Sequence, residues 1–152
     1  MRAGYSLVEL SLGILIVMGL IVGGFKVYKK LSTGTKASTA FNQTSAVISA
    51  IERAKMSNGG TYPAASSDTK LSSFSIVMNE MGGTGASKDV LDWTYKCPAG
   101  SDKTITVATT KFDSPEIADL VTRKINNNNQ PWTAKDDGDS SVTFELANVV
   151  CR

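Results

Sequence analysis

Residues 10–25 form an almost wholly apolar run, and no other feature restricts so strongly what this chain can fold into. A run of that kind is buried in protein or lodged in a bilayer, because water penalises exposed apolar surface. It begins beside a carboxylate, Glu9, and ends on Lys26, Lys29 and Lys30. Beyond it the chain turns polar, rich in Ser, Thr, Asn and Asp. The part available for a globular core is therefore about 120 residues, enough for one small domain.

Three readings compete for the N-terminus. A secretory signal peptide would carry a shorter apolar segment and a small-x-small cleavage site, and it would not carry an acid at Glu9. A plain transmembrane anchor needs about 20 apolar residues, and residues 5–25 reach that length only if Glu9 is included. A carboxylate within the membrane costs about 2.5 kcal/mol or more on insertion scales, so this reading leaves Glu9 unexplained unless it has a partner.

The third reading rests on the opening Met1-Arg2-Ala3-Gly4-Tyr5-Ser6-Leu7-Val8-Glu9, followed directly by the apolar run. Gly4 to Glu9 resembles the class III signal of type IV pilins and pseudopilins. That signal is a short basic leader ending in Gly, then a hydrophobic first mature residue, with Glu at mature position five. The resemblance implies cleavage between Gly4 and Tyr5 by a prepilin peptidase, N-methylation of Tyr5, and retention of the apolar segment as membrane anchor and later filament core. It also implies an assembly role for Glu9, whose charge neutralises the new terminal amine of a neighbouring subunit. Such a pair is favoured in a low-dielectric setting over two isolated charges. The physical logic agrees at Gly4, where the missing side chain lets a protease approach the backbone closely.

Gly13, Gly19, Gly23 and Gly24 interrupt the apolar run, and Gly19 and Gly23 make a G-x-x-x-G pair of the kind that permits close helix approach. Chance spacing in an apolar segment accounts for the pair equally well. After Lys30 the pattern becomes amphipathic: Ala37, Ala40, Phe41, Thr44, Val47, Ile48, Ile51 and Ala54 recur at three- and four-residue steps. That stripe predicts the second half of a long helix packed on a sheet, ending near Asn58-Gly59-Gly60.

Residues 61–88 read as a loop region with a short helix near residues 72–81. Strands are expected at residues 92–96, 104–110 and 141–148, with Ile105, Val107 and Ala108 in one and Val142, Phe144 and Leu146 in another supplying apolar faces. Ser114-Pro115-Glu116 opens a helix with an N-cap, a first-turn proline and an acid; it runs to about Ile125 and the asparagines at 126–129 end it. The strand, short helix, strand order loosely resembles the globular domain of type IVb pilins, many of which place a first cysteine in that helix rather than earlier. The expected fold is thus α+β, a long N-terminal helix with a hydrophobic first half, packed on a small antiparallel sheet. Its divisions are a leader at 1–4, a membrane or filament-core helix at 5–30, and an amphipathic helix with globular domain at 31–152.

Cys97 and Cys151 match no metal or redox spacing, and the chain has no histidine. One disulfide is the simplest reading, implying an oxidising compartment, with two separate buried thiols as the alternative. The disulfide would close a loop worth about 4 kcal/mol. Lys26, Lys29 and Lys30 argue the other way, since the positive-inside rule alone would leave the following segment in the cytoplasm. The resemblance implies a chain held in the inner membrane before assembly and then carried in an extracellular pilus.

A net charge of +2 with interleaved signs gives no argument for nucleic acid. No nucleophile–base pair stands out, so neither an enzyme nor a cofactor is expected. Asp136-Asp137-Gly138-Asp139 reads as a solvated turn, lacking the distal Glu of a calcium loop. Asn42-Gln43-Thr44 is a sequon on an expected helix. Trp93, Tyr95 and Trp132 read as core packing.

Two function classes remain. One is a pilus subunit, major or minor, whose implied partners are its own copies, the prepilin peptidase, an assembly ATPase, an inner-membrane platform and the membrane itself; a secretion pseudopilin is its close variant. The other is a membrane-anchored periplasmic binding module that never polymerises.

Overall fold

The first described element of this computed structural model is a 51-residue helix, α1 (Leu7–Ser57). The structure describes residues 7–74, 77–78, 90, 92–128 and 131–152. They fall into two units, residues 1–35 and 36–152. No proline precedes Pro63, so nothing in the backbone breaks the helix early. It stops at the expected glycines. Gly59 and Gly60 have φ +68° and +86°, and the Gly60 N–H donates to the Lys55 carbonyl at 2.9 Å. That bond is the six-to-one closure of a Schellman cap, for which a left-handed glycine is needed.

Within residues 36–152, α1 buries Ala37, Ala40, Thr44, Val47, Ile48, Ala50, Ile51 and Ala54. Phe41 packs at the edge of the core. This is the anticipated stripe with Ala50 added. Four of its members are alanines, which lets the helix backbone lie close to what it covers. Thr44 satisfies its buried hydroxyl by donating to the Ala40 carbonyl at 2.9 Å.

Against this face stands a five-stranded antiparallel sheet: β1 (Ala65–Lys70), β2 (Thr94–Cys97), β3 (Gly100–Ala108), β4 (Thr133–Asp136) and β5 (Val142–Cys151). The strand order is β1-β2-β3-β5-β4. A 3-10 turn, Leu71–Ser73, follows β1, and α2 (Pro115–Asn127) connects β3 to β4. The architecture is α+β as expected, with two strands more than the periodicity suggested. β1 lies where a loop was expected; its sequence, ASSDTK, carries no apolar alternation and is a sheet edge. β4 is only four residues long and forms the other edge. Of the expected short helix near residues 72–81, half lies outside the described residues; within the rest, Leu71–Ser73 form a 3-10 turn and the Met78 N–H donates to the Phe74 carbonyl at 2.9 Å.

Three smaller differences have local causes. Ala108 sits on the opposite face of β3 from the buried Ile105 and Val107, as strict alternation requires. Ser114 is extended and makes no side-chain cap; its carbonyl instead accepts from Ile117 N–H at 3.1 Å. Asn126 does more than end α2. Its side chain accepts from the Ala134 N–H at 2.8 Å and donates to the Ala134 carbonyl at 2.9 Å, which tethers β4 to the helix.

The longest strand, β5, changes phase along its length. Val142, Phe144 and Leu146 face inward, then Val149 and Cys151 do. Strict period two from Leu146 would turn Cys151 to solvent. The register explains the shift: Ile105 pairs with Leu146 but Lys103 pairs with Val149, so β5 holds one extra residue there. Asn148 takes the left-handed conformation at φ 59°. On β3 the step from Lys103 to Gly100, which faces Cys151, holds the compensating extra residue, with Asp102 at φ 53°. Asn and Asp are the non-glycine residues that tolerate this region best. With Cys151 turned inward it bonds Cys97, Cα atoms 6.0 Å apart, within the usual disulfide range.

Residues 62–64 run along the end of β5. Tyr62 N–H donates to the Val150 carbonyl at 2.9 Å and Arg152 N–H to the Tyr62 carbonyl at 2.9 Å. Glu52 of α1 anchors the same region, accepting from the Tyr62 hydroxyl at 2.9 Å and from the Trp132 indole at 3.1 Å. Tyr95 donates to the Pro63 carbonyl at 2.8 Å. Trp93, Tyr95 and Trp132 are all core residues.

Two predictions follow from this packing. Asn148→Val should lower unfolding stability by about 1–3 kcal/mol, the usual strain of a forced left-handed residue, whereas Asn148→Gly should change it little; urea denaturation reads both. Burial, and for Tyr62 the adjacent Glu52 carboxylate, push both the Tyr62 and Tyr95 phenols well above their ordinary value. A raised folded-state pKa gives stability that is complete below about pH 10 and is lost as pH rises beyond it. Tyr62→Phe should therefore lose less stability than the parent between about pH 9 and 12, each measured against its own value at neutral pH.

Candidate functional site

The most distinctive surface of the described residues is the first part of α1. Every described residue from 7 to 31 is exposed. Leu7 is 84% exposed, Leu20 71% and Phe25 71%. The helix is long and apolar enough to cross a membrane, and none of its apolar stretch is buried. Covering one such side chain is worth about 1.5–3 kcal/mol, so sequestering the whole segment is worth tens of kcal/mol. Monomeric soluble proteins rarely leave a contiguous patch of this kind in water.

A helix suits a dry environment because it satisfies its own backbone groups. The polar side chain within the run follows the same rule: Ser11 donates to the Val8 carbonyl at 2.9 Å. Thr33 and Thr35, beyond the lysines, bond back to the Lys29 and Leu31 carbonyls, each at 3.1 Å. Glu9 sits in the first turn of α1. Its charge there is favourable to the helix dipole by about 0.3–1 kcal/mol. That offsets only part of the cost of a carboxylate in hydrocarbon, about 2.5 kcal/mol or more at mid-membrane.

At Gly13, Gly19, Gly23 and Gly24 an added Cβ would meet nothing within 4 Å. Among the described residues no packing calls for glycine at these positions. Gly4 and Tyr5, the expected cleavage and methylation positions, lie outside the described residues.

The other sequence candidates resolve into structure. Asp136-Asp137-Gly138-Asp139 forms the turn between β4 and β5: Asp136 accepts from the Gly138 N–H at 2.9 Å and Asp137 from the Thr143 hydroxyl at 2.7 Å. Asp139 accepts from the Ser141 hydroxyl and lies 3.1 Å from Lys111. These contacts, Ser141 foremost, hold the Asp139 carboxyl down at about 2. Among the described residues no group of three His, Cys, Asp or Glu side chains is placed to hold a metal. In the sequon, Asn42 is exposed but Thr44 is buried within α1. Compared with family models, curated proteins and solved structures, the chain matches none.

The division into units makes a direct prediction. A chain starting at Lys36 should remain soluble without detergent, form the Cys97–Cys151 bond and unfold cooperatively, whereas the full chain should require detergent or lipid. Size-exclusion chromatography with thiol titration distinguishes these outcomes.

Proposed function

We propose that this chain is a structural subunit of a type IV pilus or pseudopilus, cut between Gly4 and Tyr5, methylated at Tyr5, and polymerised through its N-terminal helix. The observation that carries the proposal is the exposed apolar half of α1 with an acid, Glu9, four residues after Tyr5 in the sequence. A surface worth tens of kcal/mol needs a cover, and a bilayer followed by a bundle of like helices supplies it in two stages. In the assembled state Glu9 meets the cationic terminus of the neighbouring copy. A subunit inserted at the wrong height leaves both charges without a partner, which makes the pair a register device.

The remainder of the chain fits an exported domain. Cys97–Cys151 is a bond of oxidising compartments, and the α+β arrangement is compatible with a pilin-like domain. On this reading the partners are a prepilin peptidase, an assembly ATPase, an inner-membrane platform and further copies of the chain. The subunit waits in the inner membrane and ends in an extracellular filament.

A second reading, a tethered envelope binding module, draws on the lysines that flank the apolar run. Mass spectrometry of the cellular protein separates the two: a methylated N-terminus at Tyr5 is expected here, and an intact Met1 supports the tether. Glu9→Gln should abolish incorporation into filaments while leaving membrane insertion and cleavage intact. Normal filaments from that variant would remove the register role.

A further inference from the structure

Lys26, Lys29 and Lys30 are exposed on α1, directly after the apolar run. Their i, i+3, i+4 spacing gathers three ammonium groups on one side of the helix, within an arc of about 100°. No acidic residue occurs between Glu9 and Glu52. No carboxylate therefore stands at the three- or four-residue distance that would neutralise them along the helix. The next lysine differs: Lys36 lies 2.7 Å from Asp113. Residues 7–25 span about 28 Å at 1.5 Å per residue, close to the thickness of a bilayer's hydrocarbon core. The three lysines thus begin where hydrocarbon ends. Tyr28, 71% exposed, lies among them, and tyrosine is enriched at that depth.

We infer that Lys26, Lys29 and Lys30 form a collar that selects anionic phospholipid headgroups at the end of the membrane-embedded segment. The chemistry is a cluster of compact cations, each with three donors, at the level of the lipid phosphates. Long stems let the ammonium groups reach phosphates while their methylenes stay against the acyl boundary. The collar also offers a physical role for lysines on the same side of the membrane as a disulfide-bonded domain: they hold the helix at a fixed depth by attraction to lipid.

This rests on the membrane-anchored reading of residues 7–25, though not on processing or polymerisation. The test uses the full chain in phosphatidylcholine vesicles carrying trace spin-labelled phosphatidylglycerol or spin-labelled phosphatidylcholine. The motionally restricted fraction of each probe reports its association with the helix. At low salt the anionic probe should be preferred by about fivefold or more, the scale of one lysine near an anionic surface. The preference should fall towards equality near 1 M salt, where the screening length is about 3 Å. The triple variant Lys26→Gln, Lys29→Gln, Lys30→Gln should bind both probes equally with unchanged helicity, while Lys70→Gln in the other unit should retain the preference.

Equal association of the two probes with the parent chain overturns the inference, as does a preference that survives the triple substitution or disappears equally with Lys70→Gln. A chain that fails to float with vesicles removes the anchored reading as well. One that floats without lipid preference removes only the collar.

Discussion

The inner face of β5 changes phase between Leu146 and Val149, and the packing of residues 36–152 depends on that change. Strands alternate without exception unless a residue is added, so an even spacing from Val142 would have placed Cys151 outward. Asn148 absorbs the additional residue in a conformation that valine or isoleucine would resist. Cys151 then reaches Cys97 from two strands away, across β3, and the bond closes a 54-residue separation. The backbone of residues 62–64 adds to the same end of β5, so helix exit, disulfide and final strand are held together at one corner.

Glu52 supports that corner from the helix side. A partly buried carboxylate left alone would be unfavourable. Here two donors of different origin, a phenol from residue 62 and an indole from residue 132, converge on it. The geometry specifies where α1 must stop relative to both partners, since a shift of one residue along the helix rotates the carboxylate by about 100°. Apolar packing against the stripe of α1, half alanine and half β-branched, is less directional than a carboxylate that must meet two donors. Burial supplies the affinity between helix and sheet, and the carboxylate supplies the register.

Much of this was legible in the sequence where one period dominated. The stripe from Ala37 to Ala54, the glycine stop at residues 59–60 and the opening of α2 at Pro115 were readable because helical spacing and breaker residues act locally. The edge strands were not. β1 has a polar sequence whose strand character comes from pairing with β2, and β4 is held by β5 and by the side chain of Asn126; neither constraint is local. The end of β5 was cut short at Asn148 because the bulge that continues the strand breaks the alternation by which strands are recognised. Of the candidate site, the apolar run, Glu9 and the cysteine pair were all evident in the sequence. The pairing Cys97–Cys151 was simple to read because the chain offers no third cysteine.

The glycines of the apolar run bear on what covers it. In a helix in water each costs about 1 kcal/mol relative to alanine, so Gly13, Gly19, Gly23 and Gly24 together weaken it by about 4 kcal/mol. Three glycines of the other unit have visible reasons: Gly59 and Gly60 close a helix, and Gly100 begins a strand at φ +132°. In the run no neighbouring atom explains them. An anchor that meets only lipid would gain from larger side chains at these places, since lipid tails accommodate any apolar shape. Glycine becomes useful when a second rigid surface must come close, as when one helix backbone approaches another. Glycines spaced in this way would suit the close approach of like helices that the proposed filament requires.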